Sequence, residues 1–242
     1  MWRTGLASKD DRGHSYHNQY SGTASGRAMS EKAFDIEKRS FEIIESEVGS
    51  SHQYNENEWV IVRRVIHATA DFDFAGNGRI LFHTKAIESA FNALRKRCMI
   101  VTDVDMVLAA INKKSISDLG LKAVCYISDS AVAEQARMLG KTRSETAMRR
   151  AAKDIDGGIV AIGNAPTALY EVINMAREGI TKPALVIGMP VGFVSAVESK
   201  EELANMNDLP FITNVGRKGG SSAVSSIMNA IMLLYQSRKS SA

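Results

Sequence analysis

Three units of the same kind follow one another between residues 157 and 220, and they constrain the fold more than any other part of the sequence. Each unit is a short continuous apolar run that ends in a glycine-containing turn and leads into a helix-forming segment. The runs begin near Ile159, Ala184 and Phe211. Apolar runs without polar alternation are typical of strands buried on both faces, and therefore of a parallel sheet. The sequence predicts an α/β fold with a mainly parallel central sheet, helices on both faces and a single domain.

The turns that end these runs predict where a ligand binds. In open α/β sheets the loops beyond the carboxyl ends of the strands form the ligand crevice. Residues 163–167, 188–192 and 217–222 supply three such loops, built largely from backbone and small side chains. The commonest glycine motifs for nucleotides, dinucleotides and serine hydrolases are absent after the predicted strands, which disfavours those three classes.

The composition sets limits on partners and location. A net charge of +3 with 24% charged and 45% hydrophobic residues is ordinary for a globular protein and argues against a nucleic-acid partner. No apolar run is long enough to cross a bilayer, and the amino terminus has no apolar signal core, so we expect a cytoplasmic protein with no membrane partner. Cys98 and Cys125 have no metal-type spacing and are expected to be two buried thiols.

The first residues differ in composition from the rest of the chain. Residues 1–30 are rich in Ser, Gly, Asp, Arg and His, which predicts a flexible amino-terminal tail, with the α/β domain at 31–242. An amphipathic helical pattern then runs from Phe34 to Val48 and ends at Gly49. On sequence alone, Ser40 within this pattern is a helix-face serine.

The second predicted helix brings three basic side chains onto one face. Asn55 and Glu58 have the spacing of a capping box at its start. Arg63 and Arg64 lie four and three residues before His67, so all three side chains can point at one ligand. An imidazole beside two cations suits proton transfer to a polyanion. The same residues equally fit a core or capping histidine with solvated arginines, and both interpretations stay open.

A polar loop follows the predicted strand at residues 98–102. Its sequence is Thr102-Asp-Val-Asp105. Two carboxylates at a strand end could hold a metal ion, but no histidine is near, and caps for the next helix explain them more simply. We therefore predict no metal site.

Further loops have the composition of anion sites. Arg143 follows Thr142 at a predicted helix start, where exposed amides and a guanidinium suit a carboxylate; a surface arginine is the alternative. Asn164 can cap a helix or reach a ligand, and the rigid turn Met189-Pro-Val-Gly192 can present its amides to a ligand. Arg217 and Lys218 precede a glycine pair at the start of the last helix, which predicts anion binding.

Several of these segments together resemble one known family. Ile159-Val-Ala-Ile-Gly-Asn-Ala-Pro-Thr, Gly188-Met-Pro-Val-Gly-Phe-Val, Arg217-Lys-Gly-Gly-Ser, Arg64-Val-Ile-His-Ala and Lys141-Thr-Arg-Ser resemble the motifs of the precorrin-8 methylmutase (precorrin isomerase) family. The resemblance extends from about Phe34 to Leu234. It implies an isomerase that moves a methyl group from C11 to C12 of a corrin macrocycle in cobalamin biosynthesis.

The resemblance also implies partners and residue roles. It implies a homodimer acting on a corrinoid, with no redox or metal cofactor of its own, in which His67 is catalytic and Ser40 and Arg143 contact the substrate. The continuation after His67, Ala-Thr-Ala-Asp-Phe-Asp-Phe, looks more like the branch acting on cobalt-precorrin-8 than the cobalt-free branch. Asn112-Lys-Lys114 departs from the glycine- and threonine-containing turn of the family, so no substrate contact is assigned there. The predicted substrate-binding residues are Ser40, Arg64, Thr102, Thr142, Arg143, Asn164, Gly188, Met189, Gly192 and Arg217.

Two other functions fit the same residues. One is an α/β enzyme that binds a nucleotide or sugar phosphate through residues 217–222. The other is a tetrapyrrole carrier that binds without proton transfer. Both remain as alternatives at this point.

Overall fold

A computed structural model describes residues 31–240, so the predicted tail at residues 1–30 lies outside the described residues. The centre of the fold is one six-stranded sheet in the order β1-β6-β5-β4-β2-β3. Its strands are β1 Ile80–Phe82, β2 Met99–Thr102, β3 Lys122–Cys125, β4 Ile159–Ile162, β5 Leu185–Gly188 and β6 Phe211–Asn214. All neighbours pair in parallel except β1 with β6. The predicted α/β class with a mainly parallel sheet is confirmed.

Helices connect and cover the strands. They are α1 Glu31–Val48, α2 Glu56–Thr69, α3 Ala86–Arg95, α4 Asp105–Ala110, α5 Lys113–Asp118, α6 Ser130–Leu139, α7 Arg143–Arg150, α8 Ala152–Ile155, α9 Pro166–Arg177, α10 Ala196–Ala204 and α11 Ser221–Ser240. Short 3₁₀ turns follow α1 and α2, at Gly49–Ser51 and Phe72–Phe74. None of the helices between residues 31 and 240 has the length and apolar character needed to span a bilayer.

The central strands are buried on both faces, which explains their unbroken apolar sequence. In β4, Ile159 and Ala161 belong to a core shared with α2, α3 and α11, whereas Val160 and Ile162 belong to a core shared with α9. All four residues are fully buried. Burying each large aliphatic side chain contributes about 1.5–3 kcal/mol to stability. Because its side chains pack on both faces of the sheet, this four-residue strand stabilises both layers of helices.

The two cysteines are free thiols in different surroundings. Cys98 is buried beside β2, and burial raises the pKa of its thiol to about 11. Cys125, at the end of β3, is only half-buried, and burial again raises the pKa of its thiol. The prediction of two buried thiols is therefore confirmed for the first and only partly met by the second.

Candidate functional site

The predicted loops meet at one edge of the sheet, because β2, β4, β5 and β6 all run in the same direction. A Cβ on Gly163 would lie 3.0 Å from the main chain of Gly220 and Ser221. A Cβ on Gly219, whose φ is +151°, would lie 2.2 Å from the carbonyl oxygen of Met189. The glycines are therefore needed because three loops pack main chain against main chain.

The turn after β5 uses its amides within the protein. The amides of Met189, Val191 and Gly192 donate to the carbonyls of Ile162, Gly163 and Arg217 at 2.9, 3.3 and 3.2 Å. The prediction that the amides of this turn face a ligand is therefore wrong, and the contacts hold three loops together instead.

Two predicted contacts in this segment lie beneath the surface. A Cβ on Gly188 would clash with Leu203 and Leu169, and the Met189 side chain is fully buried in the core. This burial gives no support to the substrate contacts predicted for Gly188 and Met189. The segment also has exposed apolar side chains, of which Phe193 and Val194, each 82% exposed, were not selected by the sequence analysis.

Asp103 holds the loop after β4. Its carboxylate is fully buried and accepts hydrogen bonds from the amides of Gly163, Asn164 and Ala165 at 3.0, 2.7 and 2.8 Å. Burial raises the pKa of this carboxyl, while the three amide donors oppose the shift. The expectation that Asp103 caps the following helix is wrong, since the residue before α4 is Val104 and provides no side-chain cap.

Neighbours of Asp103 also depart from expectation. Thr102 is fully buried, and its hydroxyl donates to the carbonyl of Val104 at 3.3 Å, so these observations give no support to the substrate contact predicted for Thr102. Asn164 does not cap α9, whose first amides lack a side-chain cap of their own. Within residues 31–240 no hydrogen bond engages the side-chain amide of the exposed Asn164, which leaves this group free for a ligand.

Only one of the two cations before α11 is free. Lys218 forms ion pairs with Asp71 at 2.8 Å and Asp73 at 2.5 Å, and these hydrogen bonds raise the pKa of its ammonium group. Arg217 is exposed and lies over the ring of Phe193 at 5.4 Å, with no carboxylate partner in the described part of the chain. The expected pair of anion-binding cations is therefore reduced to Arg217.

His67 lies on the last turn of α2 and its side chain is exposed. Its ring centre is 5.2 Å from that of Phe41 on α1. Ser40 precedes Phe41, and its hydroxyl donates to the carbonyl of Ile36 at 2.8 Å. The imidazole thus has an aromatic neighbour on one side and solvent on the other, which is where a ligand must approach.

The arginines of α2 form ion pairs with carboxylates of α1. Arg64 pairs with Glu37 at 3.2 Å and Arg63 with Glu45 at 2.9 Å, both across to α1. Both guanidinium groups also lie over the Phe41 ring, at 5.2 and 4.9 Å. Both arginines thus have counter-charges from α1, and a contact of Arg64 with the substrate stays a prediction.

Arg143 is the first residue of α7 and is held by a well-capped helix start. Thr142 accepts from the Glu145 amide in a capping box, and its hydroxyl lies 3.0 Å from that of Thr167 on α9. The Thr142 hydroxyl is thus occupied by these structural bonds. Arg143 itself is exposed and has no partner among the described residues, so it remains available for a carboxylate.

Two contacts connect the helices and loops that carry the predicted site residues at one edge of the sheet. The Lys218 ion pairs with Asp71 and Asp73 join the end of the His67 helix to the Arg217 loop. The Thr142–Thr167 contact joins Arg143 to the helix that follows Asn164. Across residues 31–240 no three His, Cys, Asp or Glu side chains are grouped to hold a metal ion. An exposed histidine, two arginines without carboxylate partners in residues 31–240 and a side-chain amide, all on loops and helix ends of an α/β sheet, are typical of an enzyme that binds a small molecule with acid groups.

Comparison with known proteins names the family. Residues 35–234 match the family described as Precorrin-8X methylmutase, and the chain belongs to this family. It is 50% identical over 202 residues to "Cobalt-precorrin-8 methylmutase" of Priestia megaterium, covering 84% of this chain and 88% of the relative. It is 36% identical to "Precorrin-8X methylmutase" of Sinorhizobium sp, covering 81% and 92%.

A solved structure agrees with the sequence relatives. The crystal structure of a precorrin-8x methyl mutase from Thermus thermophilus superposes with a TM-score of 0.76 at 37% identity, covering 84% of this chain and 96% of that one. The family resemblance inferred from the sequence is confirmed, and with it the enzyme class: methylmutases are isomerases, that is, intramolecular transferases.

Proposed function

We propose that this protein moves the methyl group of cobalt-precorrin-8 from C11 to C12, giving cobyrinate in cobalamin biosynthesis, with His67 as proton donor and acceptor. The observation that carries the proposal is the exposed His67 imidazole, placed beside Phe41 and joined through the Asp71–Lys218 ion pair to the Arg217 loop. The cobalt-containing substrate is favoured over the cobalt-free one because the relative from Priestia megaterium, at 50% identity, bears the cobalt name.

The proposed chemistry needs little from the protein besides position and a proton. One C–C bond at C11 breaks and one at C12 forms, so the reaction is redox-neutral overall. A histidine suits the proton transfer, since imidazole is the side chain that changes charge near neutral pH. Arg143 and Arg217 lack carboxylate partners in residues 31–240 and can pair with the acid groups on the rim of the macrocycle. Fixing the ring in one orientation supplies the rest of the rate gain.

The test is His67→Ala. We expect turnover to fall about 10²- to 10⁴-fold, the range for a lost general acid–base group, with the fold unchanged because the side chain is exposed. Turnover is followed through the visible spectrum of the substrate in a single-turnover assay. Wild-type turnover by the variant would rule out the assignment.

His83→Ala is the matched control. The His83 ring nitrogen lies 2.9 Å from the carbonyl oxygen of Asn207, and the ring packs edge-on against Phe211, both structural contacts. This variant should melt at a lower temperature while keeping turnover. Testing both precorrin-8 forms with the wild-type enzyme decides between the two substrates. Binding without product formation would favour the carrier, and stabilisation by nucleotides alone would favour the phosphate-binding enzyme.

The assembly and location belong to the same proposal. We expect a homodimer, since α1 leaves the apolar side chains of Phe34, Ile36 and Ile43 exposed, and apolar patches of this kind mark interfaces. Light scattering should give twice the mass of one chain. We expect a cytoplasmic enzyme, because its two cysteines are free thiols, as is usual in a reducing compartment.

A further inference from the structure

Lys200 is a buried charge that the proposed reaction does not use. It lies on α10 and is 1% exposed. Its ammonium group donates to the carbonyl oxygen of Lys218 at 2.7 Å and to Oδ1 of Asn214 at 3.2 Å. No carboxylate lies within ion-pair distance in the described region. A buried ammonium without a counter-charge is costly, so its contacts need a reason.

The contacts converge on the loop that carries Arg217. The Lys218 carbonyl also accepts from Nδ2 of Asn214 at 3.0 Å, and that amide donates to the Val215 carbonyl at 2.9 Å. On the other side, the Arg217 carbonyl accepts from the Gly192 amide at 3.2 Å. The main chain on both sides of the Arg217 side chain is thus fixed from beneath.

We propose that Lys200 is a positioning residue for carboxylate recognition: its ammonium group fixes the Lys218 carbonyl so that the Arg217 guanidinium is held at the rim of the macrocycle. This inference rests on the proposed function, in which Arg217 pairs with an acid group of the corrinoid. Lys200 also places a positive charge under the loop without competing for the ligand's carboxylate. Burial lowers the pKa of Lys200 to about 8, so the group is still largely charged at neutral pH.

The test is a double-mutant cycle of Lys200→Met and Arg217→Ala, read by absorbance titration with cobyrinate as the probe. Each single variant should weaken cobyrinate about tenfold or more, since a small misplacement of a binding group costs up to about a hundredfold. If Lys200 acts through Arg217, the double variant should bind no more weakly than Arg217→Ala alone. KM for cobalt-precorrin-8 should rise while kcat changes little.

The controls separate position from mere stability. Lys182→Met removes an exposed lysine at the opposite edge of the sheet, next to the start of β5, and should leave binding unchanged. Lys200→Arg keeps a cation that can donate to the same oxygens and should restore most of the affinity. If Lys200→Met fails to fold by circular dichroism, Asn214→Ala replaces it in the cycle, since this change removes one acceptor of the Lys200 ammonium group and the second donor to the Lys218 carbonyl.

The outcomes separate this inference from the proposed function. The role of Lys200 would be overturned if the losses of cobyrinate affinity in the two single variants multiplied in the double variant, or if Lys200→Met bound cobyrinate as well as Lys182→Met does. In either case, turnover by the wild-type enzyme would leave the proposed function intact. An Arg217→Ala variant with unchanged cobyrinate affinity would contradict the roles of both Arg217 and Lys200. A wild-type enzyme that converts neither precorrin-8 form would refute the function itself, and the Lys200 role would fall with it.

Discussion

The Asp103 carboxylate accepts hydrogen bonds from three main-chain amides, and these bonds connect it to the loop after β4. An asparagine at this position would offer one oxygen in place of two and turn an NH₂ group toward a donor. We expect Asp103→Asn to lower the free energy of unfolding by about 3 kcal/mol, the usual effect of unpairing a buried charged hydrogen bond. Urea unfolding followed by circular dichroism measures this loss.

Asp105→Asn is the control for that change. Asp105 is exposed and accepts a hydrogen bond from the Ser128 hydroxyl at 2.6 Å and another from the Cys125 thiol. Its replacement should cost less than about 1 kcal/mol, because exposed polar contacts contribute little. Equal losses at the two positions would contradict the role that we give to Asp103.

Arg143 allows a prediction of the opposite kind. The side chain has no partner in the described residues, and the cap of α7 rests on Thr142 and Glu145, so Arg143→Ala should leave the melting temperature unchanged. Losing a charge-assisted bond to a substrate carboxylate should raise KM about tenfold. Steady-state kinetics and thermal melting together check this. Unchanged affinity with a lowered melting temperature would identify a structural arginine instead.

Individual residues show which features of the site could be predicted from the sequence and which could not. His67, Arg143 and Arg217 were selected by type and position, and all three are exposed. The partners of Asp103 and Lys218 could not be predicted, since they lie 60 to 62 and 145 to 147 residues away in the chain. Local spacing carries no signal for such contacts. For the same reason the sequence analysis assigned no role to Lys200.

At the scale of elements, the apolar runs were sufficient to predict a parallel sheet, because burial on both faces of β4, β5 and β6 leaves a local trace in sequence. Loops leave a weaker trace. The glycine pair after β6 was taken as an approach to a ligand, whereas Gly219 allows the approach of one loop to another. A glycine marks close contact but does not say with what.

Gly219→Ala tests this account of the loops. A methyl group there would meet the Met189 carbonyl at 2.2 Å, and the backbone φ of +151° already disfavours any side chain. We expect unfolding to become easier by about 3 kcal/mol or more, since main-chain atoms must move on both sides of the contact. The loops that carry Arg217 and Gly192 should move with it, so cobyrinate affinity should fall as well.

Gly179→Ala is the comparison at a position with the same kind of strain but no close contact. Gly179 has a φ of +70°, and no atom lies within 4 Å of its added Cβ. The Gly179→Ala change should therefore lower the free energy of unfolding through the strained backbone conformation alone, by about 1–2 kcal/mol. Similar losses for both variants, by urea unfolding, would show that strain and not loop contact explains Gly219.

At the scale of the whole molecule, the buried ammonium of Lys200 links stability to pH. Burial lowers its folded-state pKa from the ordinary 10.5 to about 8. Between these two values the unfolded chain binds a proton that the folded chain does not. Stability from this group therefore rises with pH across the window from about 8 to 10.5, and falls as pH decreases through it.

Comparing wild type with Lys200→Met isolates this effect from groups that titrate in the opposite sense. The pKa values of Cys98 and Tyr54 are raised by burial to about 11 and about 12, so both lose their contributions to stability as pH rises, equally in the two proteins. From pH 7.5 to 10, the wild type should gain about 2 kcal/mol of unfolding free energy relative to Lys200→Met. Urea unfolding at both pH values measures the difference. If the difference in unfolding free energy between the two proteins stayed constant, Lys200 would keep its proton throughout this pH range. The cost of burying its charge would then be offset by contacts stronger than its hydrogen bonds to the two carbonyl oxygens.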